Sequence, residues 1–369
     1  MKQDCPPAYY AEYLMLDKLL NCQHERSAQY GELAHEEMLF IIVHQAYELW
    51  FKQILHELDT IMAAFQHKYV AEKTISIAVS RLQRITEIQK LLIDQVRVLE
   101  TMTALDFLDF RDYLQPASGF QSYQFRLIEI KLGLRPKGKD HQPPKDLSYT
   151  RLSEVHRALL VEAYKQPSML NLLEKWLERT PFLQFEGFDF WENYRRAVEN
   201  MLAQDRETIQ KNPVLSDDVK LRELTEMDKT EASFAALFDE KQHQKLVAQG
   251  QRRISLKAMQ AALLISLYRD EPILHLPFRL ITLLVDIDEL FTTWRHRHVL
   301  MAHRMIGSKI GSGGTSGIDY LKKAADRNRV FTDLFNISTF IIPRSDLPTL
   351  PDDYRKNLGF YYSEGPTKA

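Results

Sequence analysis

The sequence is short of several things. It has two cysteines, Cys5 and Cys22, and both lie near its start. That leaves no disulfide framework and no zinc cluster. Glycine is scarce, at 13 in 369 residues, or about half the usual frequency of roughly 7%. No run approaches the roughly 18 apolar residues of a membrane span, and the opening Met1-Lys-Gln-Asp-Cys-Pro-Pro holds no signal-peptide core. A basic excess is also missing: 48 Lys+Arg face 50 Asp+Glu, for a net charge of -2. Nucleic-acid and membrane-surface binders need such an excess, so both classes are excluded as a general reading. Alternating strand patterns are almost absent. What remains is an all-α chain, expected in the cytoplasm, with 45% hydrophobic residues for its core.

Helical periodicity organises the chain. A short amphipathic segment is expected at residues 9–20, then long helices at 35–65 and 75–110, the second with a break near 101–103. A turn at Gln115-Pro-Ala-Ser-Gly119 opposes continuation. Further helices are expected at 123–131, 149–178, 188–212, 255–268, 277–306 and 318–335, with a loop at 133–148. Residues 204–253 are dense in charge and read as peripheral exposed helices. The expected units are an arm at 1–34, a helical domain at 35–342 and an irregular tail at 343–369.

The sharpest signal lies in the helix at 277–306. Leu280, Leu284, Ile287, Phe291, Trp294, His298, Met301 and Met305 step by four and three along one face. His298 stands where a large apolar residue is expected. At about 100° per residue, His296 is turned about 160° and His303 about 140° from that face. The three histidines therefore cannot converge on one metal ion, and the His-Glu-x-x-His spacing of a zinc helix is absent. His298 is either a core histidine satisfied by one hydrogen bond or the single axial ligand of a haem. His44 is a second inward imidazole, on the stripe of Phe40, Ile41, Tyr47 and Phe51, and the same two readings apply.

Two other features carry chemistry. Arg111 shares a face with Phe107 and either pairs with an acid such as Asp109 or Asp112, or grips a substrate carboxylate with two parallel hydrogen bonds. Residues 307–317 hold five glycines but match neither a Walker A loop nor a dinucleotide fingerprint. They read as an exposed linker, or as backbone that approaches a ligand closely with Ser312, Thr315 and Ser316 as hydroxyl donors.

The segments Phe40-Ile-Ile-Val-His44-Gln-Ala-Tyr47-Glu-Leu-Trp-Phe-Lys-Gln53, Thr101-Met-Thr-Ala-Leu-Asp-Phe107, Tyr113-Leu-Gln-Pro-Ala-Ser-Gly-Phe120, Trp294-Arg-His-Arg-His298 and Gly311-Ser-Gly-Gly314 resemble the tryptophan 2,3-dioxygenases over nearly the whole chain. The resemblance implies a homotetramer, a dimer of dimers, with one haem b per subunit. It implies that O2 is inserted across the indole C2–C3 bond of L-tryptophan to give N-formyl-L-kynurenine. It casts His298 as the iron ligand, with its second nitrogen donating to a carbonyl, a carboxylate or water. His44 becomes the distal catalytic histidine. Phe40, Ile41, Ile42, Val43, Phe107, Arg111 and Ser312 become substrate-binding, and Trp294 and Ser118 cofactor-binding. Tyr10 and Tyr13 match an arm that enters a neighbouring subunit's site. Ser312 stands where the family usually has Thr; the hydroxyl is kept and the methyl that restricts χ1 is lost. Trp176-Leu-Glu-Arg179-Thr-Pro181 resembles a second, non-catalytic tryptophan site of some members. The competing classes are a haem sensor without turnover, a helical scaffold and a broader indole dioxygenase.

Overall fold

A computed structural model describes residues 6–135, 151–180, 184–185, 188–307 and 328–351. The regular structure of the described residues is helical, apart from one minimal ladder in which Gln184 pairs with Asp189 and Phe185 with Phe188. Nine helices come first: α1 (Tyr10–Tyr13), α2 (Leu16–Leu19), α3 (Arg26–Tyr30), α4 (Glu36–Phe65), α5 (Glu72–Leu99), α6 (Ala104–Arg111), α7 (Tyr123–Leu132), α8 (Glu154–Lys165) and α9 (Met169–Leu177). After the ladder come α10 (Phe190–Lys211), α11 (Asp217–Ala235), α12 (Glu240–Ala248), α13 (Leu256–Leu267), α14 (Pro272–Ile306) and α15 (Thr332–Phe335).

Three long helices make the frame. The most extensive packing is α14 on α5, followed by α4 on α5 and by α4 on α7. On α5, Ile75, Leu82, Ile85, Leu92, Val96 and Leu99 are buried at steps of three, four and seven, and each fully buried aliphatic contributes about 2 kcal/mol. Helix α14 answers with Leu280, Leu284, Ile287 and Phe291, the first four members of the stripe read from sequence. Helix α13 is buried almost all round, from Ala258 to Ile265.

Several boundaries differ from expectation. Helix α14 begins at Pro272, five residues early, and carries Pro277 inside. Proline is well suited to the first helical position, and Pro277 sits near enough to the N-terminus to cost a single hydrogen bond. The helix expected at 149–178 is two helices. Pro167 disfavours helix for the residue before it, and Ser168 opens α9 with a reciprocal capping box to Asn171. Of the segment expected to be helical at 318–335, residues 318–327 lie outside the described residues. Residues 328–331 are not helical, because the buried Asp288 carboxylate takes the backbone N–H groups of Val330 and Phe331.

The charged region is peripheral. Helices α11 and α12 bury only Met227, Phe234 and His243. At the other end of the chain, α1 and α2 bury nothing, and Tyr10 and Tyr13 are 71% and 76% exposed. Among the described residues no helix is long and apolar enough to cross a membrane.

Candidate functional site

Helices α4, α5, α6, α7 and α14 and the turn after α6 line a cavity of about 300 Å³. His44 lines it from α4 and His298 from α14. The two imidazoles act on each other electrostatically, the charge of one opposing the charge of the other. The sequence left open whether they meet; the packing brings them to one space. His296 and His303 point to solvent, as the helical period requires.

The ring of His298 is accessible only in part, and it lies deep in protein at the cavity wall. Burial, with a contribution from His44, pushes its pKa down to about 4. It is therefore neutral near pH 7, with a lone pair available. Trp294, one turn back, stacks on it at 5.4 Å and 13°. Among the described residues no protein group is hydrogen-bonded to the His298 ring.

His44 is arranged differently. Its Nδ1 lies 2.7 Å from the carbonyl oxygen of Phe40, one turn earlier. A carbonyl only accepts, so Nδ1 carries the proton and Nε2 keeps its lone pair. Burial lowers the pKa of His44; the Phe40 carbonyl and the Glu48 carboxylate oppose that shift without cancelling it. The Phe40 ring lies tilted at 35° against the imidazole, 4.1 Å away, and 5.9 Å from Phe107. Phe40, Phe107, Arg111 and Ser118 all line the cavity. Arg111 ends α6, whose start is fixed by a capping box between Thr103 and Asp106. Ser118 opens a single 3-10 turn with its own box to Gln121.

Several of the assigned residues lie away from this cavity wall or outside the described residues. Ile41, Ile42 and Val43 do not line the cavity. Val43 is 3% exposed in the main core, Ile42 is 49% exposed at the surface, and Ile41 is half-buried outside the cavity wall. Consecutive helical residues are turned by about 100° from one another, so Ile41, Ile42 and Val43 cannot all share the face of Phe40 and His44. Tyr10 and Tyr13 are not part of this chain's cavity wall. Ser312 and the rest of the glycine-rich run beyond Gly307 lie outside the described residues. Arg179 donates to the carbonyls of His67 and Lys68, and Trp176 packs edge-on against Phe65 at 5.8 Å.

Sequence reading missed a charged wall. Arg126, Glu129 and Arg295 also line the cavity. Glu129 accepts from Arg126 at 2.7 Å and from Arg295 at 2.8 Å, and Arg295 also donates to the Asn328 carbonyl at 2.9 Å. Burial drives the Glu129 pKa up, but the two guanidiniums outweigh it and hold the carboxyl below its usual value. The available signal was a pair of opposite charges three apart on an otherwise apolar helix.

These residues fit a haem. Among the described residues no group of three or more metal-ligating side chains converges, so these residues offer no complete ligand set of their own. A single neutral imidazole facing a largely apolar cavity is what a metal already held by four macrocycle nitrogens requires. A family model described as tryptophan 2,3-dioxygenase matches residues 3–341. The chain belongs to the tryptophan 2,3-dioxygenase family. A tryptophan 2,3-dioxygenase of Bdellovibrio bacteriovorus is 55% identical over 97% of this chain and 99% of its own length. That of Alteromonas mediterranea is 49% identical over 98% and 99%. Tryptophan 2,3-dioxygenase B of Danio rerio is 48% identical over 94% and 85%. The relatives it matches include both bacterial and vertebrate tryptophan 2,3-dioxygenases.

Proposed function

We propose that this chain inserts both atoms of O2 across the C2–C3 bond of the indole of L-tryptophan, giving N-formyl-L-kynurenine. His298 is the residue that holds the iron of a haem b, one per chain, with Trp294 packed against it and Ser118 near the same group. The bound haem supplies the reaction with O2 that organic side chains do not. Everything else is positioning by the chain. The observation that carries this reading is the hydrogen bond from His44 Nδ1 to the Phe40 carbonyl. It leaves Nε2 as an acceptor inside the cavity, suited to the indole N–H.

His44 then orients C2 and C3 of the ring, and the gain comes from restricting the encounter geometry. Its lowered pKa makes it a poor base for so weak an acid as an indole N–H, so orientation is favoured over proton removal. Phe40 and Phe107 bound an apolar slot for the ring. Arg111 pairs with the substrate carboxylate. Ser312 is assigned the amino-acid end of the substrate by resemblance. Tyr10 and Tyr13, exposed in a single chain, suit an arm at residues 1–34 that enters the neighbouring subunit's cavity in a homotetramer. The catalytic unit is 35–342, the tail is 343–369, and a cytoplasmic location belongs to the same reading.

The test is turnover by purified, haem-loaded, reduced protein with L-tryptophan and isotopically labelled O2. N-formylkynurenine carrying both labelled atoms is the expected product. Haem uptake without product would instead make the chain a haem sensor, and failure to take up haem would remove His298 and His44 from their roles.

A further inference from the structure

The N-terminal arm is not tethered loosely. Its root, residues 22–34, is sewn to both carriers of the site. Gln23 donates to Gln45 at 2.7 Å, next to His44 on α4. The backbone N–H groups of Arg26 and Ser27 both donate to the buried carboxylate of Glu37, at 2.9 and 2.8 Å. Ser27 in turn accepts from the backbone of Ala34 at 3.0 Å. The third anchor is on the other side of the cavity. Arg26 Nε donates to the carbonyl of Tyr113 at 2.7 Å, two residues after Arg111.

The side chain of Tyr113 adds a steric lock. A Cβ on Gly31 would stand 2.0 Å from the Tyr113 hydroxyl and 2.8 Å from the ring carbon that bears it. Real contacts do not come so close, so the ring lies directly on the Gly31 backbone. The backbone of Gly31 is extended and open to any residue (φ -167°); the need for glycine is contact alone. The other side of Tyr113 packs on a small cluster of Ala34, Met102, Phe110 and Met305, against which Phe40 and Phe107 also pack.

We propose that Tyr113 is a positioning residue: clamped by Arg26 and Gly31 of the arm root, it fixes the turn that carries Arg111 and thereby sets affinity for the carboxylate end of the substrate. The inference rests on the reading that Arg111 grips that carboxylate. It also links the arm to the site within one chain, so a disturbance at the arm root reaches tryptophan binding without passing through the iron side.

The experiment is calorimetric titration of haem-loaded protein with L-tryptophan and with tryptamine, which lacks the carboxylate. Gly31→Ala is expected to weaken L-tryptophan about ten-fold and to change tryptamine by less than about two-fold, since small misplacements of a binding group are costly. Haem content and absorption stay as in the parent. Tyr113→Phe alone is expected to be near neutral. Combined with Gly31→Ala it removes the atom nearest the new methyl and restores part of the lost affinity, because the ring carbon at 2.8 Å still has to shift. A merely structural defect would weaken both ligands and would not be reversed. The proposal is overturned if Gly31→Ala leaves L-tryptophan affinity unchanged, weakens both ligands alike, or is not rescued by Tyr113→Phe. Arg111→Ala is the companion. If it weakens L-tryptophan alone, a failure at Gly31 belongs to Tyr113. If it fails to discriminate the two ligands, the Arg111 reading fails and the proposal falls with it.

Discussion

The two ends of the cavity are built on different principles. At the iron end, His44 and His298 ride on helices of 30 and 35 residues. At the carboxylate end, Arg111 closes a helix of eight residues and Ser118 opens a turn of three. A long helix places its side chains by period, because its axis is held by dozens of buried contacts along its length. A short one has too few contacts and is placed by its caps and by distant partners, here the Thr103 and Ser118 boxes and the arm root at Arg26 and Gly31. The same helical chemistry therefore yields one end that is rigid by construction and one that depends on a few polar atoms.

The largest test of the comparison is at the iron end. His298→Ala is expected to abolish stable haem binding, read from the absorption spectrum of purified protein. His44→Ala is expected to keep haem and to lose turnover by about 100-fold through lost orientation of the ring. Full haem occupancy in the first variant, or haem loss in the second, would interchange the roles and break the assignment of that end. Arg111→Ala comes next. A carboxylate left without its guanidinium inside the site is costly, and an expected loss of about 100-fold in L-tryptophan affinity with little change for tryptamine follows. Equal losses for the two would show that the carboxylate end is not specific to the carboxylate.

How much was legible in the sequence follows the same division. The apolar stripe of α14 put His298 inward and His296 and His303 outward, and the structure agrees at all three. The consecutive run Ile41, Ile42 and Val43 was assigned to the substrate by resemblance, and none of the three lines the cavity. The break between α5 and α6 was visible in Thr101-Met-Thr103, because a Thr cap interrupts the helix there. Pro167 also marked a boundary, but it was absorbed into one long segment. What no local rule reveals is long-range polar pairing. Glu129 with Arg295 spans 166 positions in sequence, and Gln89 with the Ile287 carbonyl spans 198. The arm root belongs to this class too, since nothing at Gly31 announces Tyr113.

The charged wall of Glu129 sharpens the comparison, since it is a polar device placed at the helical end. Its two guanidiniums hold the folded carboxyl below the ordinary value of 4.5. The stabilisation is therefore fully present above the unfolded value and is lost as pH falls through the folded one. In the haem-free protein, Glu129→Gln is expected to cost about 3 kcal/mol at pH 7, because it leaves two part-buried guanidiniums short of a partner. As pH falls below the ordinary carboxylate value and through the lower folded one, the gap between variant and parent should narrow. Chemical denaturation at three pH values measures it. A gap that stayed constant with pH would mean that Glu129 acts by shape and not by charge.

The smallest expected effect probes the other end. The Thr103 side chain accepts from the Asp106 backbone N–H at 3.3 Å, and the Asp106 carboxylate accepts from the Thr103 backbone N–H at 2.9 Å. Thr103 is exposed and Asp106 only half-buried, so the box is open to water and its loss is chiefly a capping loss. Thr103→Ala is expected to cost about 1 kcal/mol of global stability. On a long helix that would be the whole story. Helix α6 has eight residues and buries only Phe110, so part of the loss should appear as fraying of the turns that hold Phe107 and Arg111. The expected outcome is a rise of about two- to three-fold in the dissociation constant of L-tryptophan, with haem content unchanged. An equivalent loss of stability introduced in the long frame, by Ile85→Val on α5, should leave that constant where it was. If the two variants behaved alike, the carboxylate end would be no more dependent on its caps than the iron end, and the contrast between them would not hold.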